Sequence, residues 1–351
     1  MSAMLPSRRI VVGLAIMSAL LAGLEMSGLA FWQGLVVNFA IFIILVQALN
    51  LASGFTGVFS LGHIGFMAIG AYTSAILTLP LATKAEYLPN LPGWLAGVHL
   101  DGMIGPFPIG FMLATLIAGA VVVVVASLVG AVLMRLSGHF VAVATLGFLV
   151  IVRVILFNAD DITRGSRTFS NVTPYTNLWW AWGWAIITVY VAWRLKFSGY
   201  GRAMFAQKAD RWAARSIGIS ILRPRLVGFV TGAFFMAVAG SLYAHFITSF
   251  SPTVFYFDLT FRVITMLVVG GMGSVSGAVI GTGVVLALAE ALRRIEEATL
   301  LYGLGGILLA TFFIAVIIFR PSGILGHDEL TLKRMMAWPP LRRLTSGRRP
   351  N

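Results

Sequence analysis

Seven stretches of this chain contain no Asp, Glu, Lys or Arg: residues 26–83, 102–134, 136–152, 168–193, 226–257, 263–289 and 298–319. A helix that crosses a bilayer needs about 20 mostly apolar residues, and most of these stretches reach that length or a multiple of it. A water-soluble core does not tolerate such runs. Soluble domains carry charge on roughly a quarter of their residues, whereas here 11% are charged and 59% apolar. That leaves too little polar surface to cover a soluble core. The fold class that follows is all-α, a polytopic membrane protein.

Several chemistries fall with the soluble fold. Without cysteine there is no disulfide scaffold, thiolate metal site or Cys nucleophile. The five histidines (His63, His99, His139, His245 and His327) are far apart, with no i,i+4 pair of the kind helical metal sites use. No metal or other cofactor is implied. A net charge of +13 would suggest nucleic acid in a soluble protein. Here an excess of Lys and Arg on one side of the membrane accounts for it, so no nucleic-acid partner is expected.

The pattern predicts about ten transmembrane helices, near 10–32, 34–53, 65–83, 108–134, 139–158, 178–195, 225–247, 259–273, 275–292 and 300–319. The first follows Arg8-Arg9 and resembles a signal peptide. It lacks a convincing cleavage site and its apolar character resumes after Glu25, so it reads as a retained span. Ten crossings put both termini on one side. The N-terminus, Arg135, segment 194–225 and the end from 320 hold 18 Lys/Arg, against five in the opposite loops. By the positive-inside rule both termini are cytoplasmic. Residues 1–326 then form the membrane domain, with 196–222 its long cytoplasmic loop and 327–351 a basic cytoplasmic tail.

Two glycine-rich stretches interrupt the apolar runs without adding charge. The first carries Gly54, Thr56, Gly57, Ser60 and His63, and the second Gly270, Gly273 and Ser276. They share the spacing G-x-x-G-x-x-S, which suggests an internal repeat. Each glycine lowers helix propensity by about 1 kcal/mol relative to Ala, so at least one helix is expected to be broken there. Backbone freed at membrane depth must be satisfied by protein or by a water-filled cavity. Transporters aim such broken helices at a solute; a plain turn, or close helix packing, is the other reading. These eight residues are the candidate substrate path.

Segment 196–222 differs in kind. Phe205, Ala209, Trp212, Ala213 and Ile217 fall on one helical face, Gln207, Lys208, Arg211 and Arg215 fall on others, and Gly218 stands where helices stop. Such a helix suits either anionic membrane lipid or a cytoplasmic partner. Four ionisable residues lie within or at the ends of spans: Glu25, Arg153, Arg262 and Glu290. Asp258 stands i,i+4 from Arg262, Glu290 can pair with Arg294, and Arg153 can snorkel outward. No ladder of acids or histidines suggests a proton relay.

A set of motifs now resembles one family. They are Asn50–Gly57 (NLASGFTG), Ser60–His63 (SLGH), Phe66, Gly70–Thr73 (GAYT), Gly138–Leu146 (GHFVAVATL), Ser198–Ala203 (SGYGRA), Ala213–Ile219 (AARSIGI), Val269–Gly277 (VGGMGSVSG) and Phe319–Gly326 (FRPSGILG). In this order they resemble the LivM-type branched-chain amino acid ABC permeases over roughly residues 40–326. The resemblance implies a permease subunit in the bacterial inner membrane, paired with a LivH-like permease and two cytoplasmic ATPases. Solute would come from an extracytoplasmic binding protein. It tips segment 203–217 from lipid towards ATPase docking, with Gly201, Arg202, Phe205, Trp212, Ala213, Ala214 and Gly218 as the coupling residues. The chain has no Gly-x-x-x-x-Gly-Lys-Ser/Thr, so ATP and Mg belong to the partners. Two departures stand out: Trp212 occupies the place of the coupling loop's acid, and Thr163-Arg164-Gly165-Ser166 replaces Thr-Gly-Gly-Ser. Related systems carry urea, short amides or aromatic acids. A stand-alone ion-coupled carrier or channel is the alternative of another class.

Overall fold

The computed structural model describes residues 8–329 apart from 101, 105, 106, 137–139, 301, 302, 321, 327 and 328. Of the expected tail 327–351 only Glu329 is described, and His139 and His327 lie outside the described residues. The helices are α1 (Arg8–Met26), α2 (Ala30–Leu49), a π-turn (Asn50–Gly54), α3 (His63–Thr78), α4 (Leu81–Tyr87), α5 (Gly93–Ala96), α6 (Ile109–Leu133), α7 (Phe140–Asn158) and α8 (Asp160–Thr163). They continue with α9 (Leu178–Lys196), α10 (Gly199–Ala209), α11 (Arg211–Ser216), α12 (Leu222–Ile247), α13 (Phe257–Gly270), α14 (Val275–Thr299) and α15 (Leu304–Phe319). The described strands are one two-residue antiparallel pair, Met103–Ile104 with Phe107–Pro108.

Each of the ten expected membrane helices has its counterpart, but their lengths differ. Among the described residues five are long and apolar enough to cross a bilayer: Ala30–Gly54, Ile109–Leu133, Phe140–Asn158, Leu222–Ile247 and Val275–Thr299. Helices α3 and α4, bent by 117° at their junction, make a sixth if taken as one span. Helices α13 and α15 have 14 and 16 residues. At about 1.5 Å per residue they fall short of a hydrocarbon core about 30 Å thick. The first boundary also moves, from 32 to 26, because Ser27 Oγ donates to Leu24 O and Gly28 turns the chain at φ +66°.

The loops sort into two groups at opposite ends of the bundle. At one end Asn90 donates to Asp161 (3.0 Å), Asn171 to the Tyr87 hydroxyl (2.7 Å) and Trp179 Nε1 to Glu25 (2.6 Å). There the Phe169 and Phe250 backbones also pair, and Arg294 lies 5.2 Å over the Phe31 ring. At the other end are segments 54–62, 196–210 and 271–276, the turn after α15 and Glu329. The Ile324 amide, for example, donates to Val269 O at 2.8 Å. Successive long helices therefore run between alternate ends. Segment 194–225, the richest in Lys and Arg among the described residues, lies at the second end.

Small residues hold the centre. An added Cβ on Gly70 of α3 would lie 2.4 Å from Ala237 Cα of α12, and one on Gly240 would lie 2.1 Å from Met67 O. The backbones meet there, as small residues permit between membrane helices. Buried hydroxyls join the same layer: Ser241 Oγ lies 2.7 Å from both Ser74 and Thr115, and Thr78 lies 2.8 Å from His245 Nε2. Interhelical hydrogen bonds of this kind satisfy polar groups that lipid cannot.

Candidate functional site

The two glycine breaks form one knot. Helix α2 ends in a π-turn that aims Asn50 at the second break. Its Nδ2 donates to Ser274 O (3.0 Å) and its Oδ1 accepts from the Gly273 amide (2.8 Å). One turn earlier Gln47 Nε2 donates to Val275 O (2.6 Å). Both side chains are wholly buried, so α2 satisfies the backbone that the break leaves unpaired. The contact needs glycine on both sides. A Cβ on Gly54 would stand 2.9 Å from the Gly273 nitrogen, and Gly273 has φ +99°, where other residues are strained. Gly57, its counterpart in the shared G-x-x-G-x-x-S spacing, also has positive φ, +72°. Ser274 caps α14 by accepting from the Gly277 amide (2.9 Å).

The first break is closed by its own hydroxyls. Ser53 Oγ accepts from the Ser60 amide (3.1 Å), Thr56 Oγ1 from the Val58 amide (3.2 Å), and Ser60 Oγ lies 2.7 Å from His63 Nδ1. His63 opens α3 and is buried edge-on against Phe66 and Phe229. Thr145 of α7 accepts from the Leu61 amide (3.0 Å), tying a further helix to this end.

The segment read as one coupling helix is two, and Asp210 is the reason. Its backbone leaves helical geometry and its carboxylate accepts from the Trp212 and Ala213 amides (2.8 and 3.0 Å), the N-cap arrangement. The single face drawn through Phe205 and Trp212 is therefore split. Phe205 turns inward, 5.3 Å from the Phe55 ring. Trp212 is 75% and Ile217 74% exposed. Ser198 caps α10 through the Gly201 amide, and Gly201 sits against the Leu195 and Lys196 carbonyls where a Cβ would clash. Arg202 donates to Phe197 O (3.1 Å). Ala213 is exposed and Ala214 buried, while Gly218 ends the segment at φ +82°.

Two lysines join this segment to the knot. Lys208 Nζ donates to Gly54 O (2.8 Å) and approaches Met272 O at 3.5 Å, touching both breaks. Lys196 Nζ donates to Gly273 O (2.8 Å) and pairs with Glu329 at 2.5 Å. Glu329 also accepts from the Val275 and Ser276 amides (2.8 and 2.9 Å) and the Ser276 hydroxyl (2.5 Å). A carboxylate thus sits on the N-terminus of α14, where the helix dipole favours it. Burial holds the Lys208 ammonium below lysine's ordinary range, with the Lys196 charge adding to the effect. Burial pushes the Glu329 carboxyl up, but hydrogen bonds from Lys196, Ser276 and the two amides outweigh it and leave it below the usual range.

Of the eight candidate path residues, the structure brings Gly54, Gly270, Gly273 and Ser276 into the knot and sets Gly57 against Lys208. Thr56, Ser60 and His63 are buried beside it. Sequence reasoning singled out neither Asn50 and Gln47 as side-chain ligands of the second break nor Lys196, Lys208 and Glu329. The signal for the first two was present: polar side chains at i,i+3 near the end of an otherwise apolar helix. Three of the four flagged charges, Glu25, Arg153 and Glu290, found partners. Glu290 binds Arg293 (2.8 and 3.0 Å) and Arg294 (3.1 Å), and Arg153 lies 3.8 Å over the Tyr256 ring. Among the described residues no ion pair joins Asp258 to Arg262.

Residues 31–319 match the family described as "Branched-chain amino acid transport system / permease component". The chain is 30% identical, over 84% of its length and 69% of the relative's, to the high-affinity branched-chain amino acid transport system permease protein LivM of Salmonella typhimurium. It is 33% identical to LivH of the same organism over 50% of this chain and 55% of that one. The probable LivM of Methanocaldococcus jannaschii is 21% identical over 83% of this chain and 92% of its own. No solved structure matches the chain. A multi-pass helical bundle whose matched region spans nearly all its membrane helices thus belongs to the branched-chain amino acid permease family: it is a transport component and not itself an enzyme.

Proposed function

We propose that this chain is one half of the membrane channel of an ATP-driven importer for branched-chain or related amino acids. A LivH-like permease completes the channel, two cytoplasmic ATPases bind the α10–α11 segment, and an extracytoplasmic binding protein delivers the solute. ATP and Mg reside on the ATPases. Both termini and α10–α11 face the cytoplasm of a bacterial inner membrane, in keeping with the eight Lys/Arg of segment 194–225 at that end.

One observation carries this reading. The α10–α11 segment presents Trp212 and Ile217 outward while Phe205 and Lys208 reach inward to both glycine breaks. An exposed aromatic anchor beside basic residues suits a protein partner, and its inner face bears on the knot where α2, α13 and α14 meet. Closure of the ATPase dimer would move the segment, and Lys208 and Lys196 would pass that displacement to both breaks together. The breaks would then serve as the inner gate of the path, their glycines allowing rearrangement without side-chain clashes. Such a rigid-body shift around a packed joint is a common switching device.

The test is reconstitution of the full complex, with leucine uptake and binding-protein-stimulated ATP hydrolysis measured in parallel. Trp212→Asp should leave insertion intact and abolish the stimulation. Full stimulation in that variant, or uptake that persists without ATP, would refute the assignment and favour a stand-alone carrier. Uptake of urea, short amides or aromatic acids in place of leucine would keep the coupling and change the solute.

A further inference from the structure

Helices α2, α13 and α14 meet at the inner knot and part towards the other end, where α15 completes a cleft of about 840 Å³. That volume lies within the roughly 300–1,000 Å³ of small-molecule sites. Its walls are apolar, among them Leu35, Phe39, Leu286 and Leu309, and its polar groups carry both signs. Arg262 is exposed into it with no carboxylate partner among the described residues. Glu290 stands on the facing helix, its carboxylate held by Arg293 and Arg294. An unpaired guanidinium on a helix facing hydrocarbon is costly, and such groups usually face a water-filled path.

Resting on the functional reading above, we propose that this cleft is the outer vestibule of the solute path and binds an amino acid by its carboxylate. Arg262 takes the carboxylate and the apolar wall an aliphatic side chain, while Glu290 stays with Arg293 and Arg294. Arg262 is the group of choice for a planar carboxylate. In the lining Arg262, Arg293 and Arg294 outnumber Glu290 and Glu296, so the cleft favours an anionic group such as a carboxylate. The same three helices then carry solute contacts at one end and the gate tied to α10 at the other.

The chain contains no cysteine, so Ala287→Cys places a single thiol on the exposed cleft wall. Labelling of this chain by a membrane-impermeant thiol reagent is followed in the reconstituted complex without ATP, after leucine uptake by the unmodified complex has been measured. Leucine should slow labelling and leucinamide, which lacks the carboxylate, should not. Adding Arg262→Ala should raise the leucine concentration for half-protection about tenfold or more, the loss of one charged hydrogen bond, with Arg262→Lys intermediate. Labelling indifferent to leucine, slowed equally by leucinamide, or slowed by phosphatidylglycerol instead would overturn the site. Uptake without protection sinks the vestibule alone; protection without uptake sinks the importer reading alone.

Discussion

Replacing Asn50 with alanine tests the knot most directly. The side chain makes two buried hydrogen bonds, to Ser274 O and from the Gly273 amide, and has no exposed surface. Alanine would leave a buried carbonyl and a buried amide unpaired, each costing about 1–3 kcal/mol. The sum is about 2–6 kcal/mol, before any term for the small cavity. Gln47→Met is the control: it gives up one bond, to Val275 O, and keeps most of the volume, so its cost should be about 1–3 kcal/mol. Unfolding free energies can be read from titration of the purified chain in mixed denaturing and mild micelles. The knot predicts Asn50→Ala to be the more damaging by a clear margin and to abolish uptake. A loss within about 0.5 kcal/mol, the range of an ordinary surface change, would mean that Asn50 does not bridge the breaks.

Three further outcomes follow from the same end of the bundle. Gly273→Ala should cost about 1–3 kcal/mol, because φ is +99° and the new Cβ would lie 3.3 Å from Gly54 O; a neutral result in the same titration would remove the backbone argument. Glu329 has a lowered folded-state pKa, so its stabilisation is complete above its unfolded value of 4.5 and is lost as pH falls through the folded one. Glu329→Gln should flatten the acid limb of the stability profile, and an unchanged limb would deny the contact. Lys208→Met should keep insertion yet raise the ATP hydrolysed per leucine taken up, since it cuts the only described side-chain bond from α10 to Gly54 O; unchanged stoichiometry would place the mechanical link elsewhere.

How much could be read beforehand differs from element to element. The stretch 226–257 announced α12 because an uncharged apolar run long enough to cross a bilayer must satisfy its own backbone hydrogen bonds there, which a helix does. Helix α13 was equally visible as apolar, but its 14 residues could not be known from hydropathy, since its ends are set by Tyr256 and by the turn at Gly271. At 196–222 the helical period was correct locally and misleading globally. Asp210 follows α10 closely enough to keep the apolar rhythm, and its preference for capping wins over that rhythm.

The amino-acid order alone determined that the chain crosses a membrane many times, which loops share a side, and where backbone could break. Those properties depend on transfer free energies and local propensities, which act residue by residue. Only the tertiary structure decided that Asn50 answers Ser274 and that Lys208, more than 150 residues beyond Gly54, closes on both breaks. Such pairings depend on where distant helices come to lie. No local preference of a lysine or an asparagine distinguishes a lone surface group from one that bridges two helix ends.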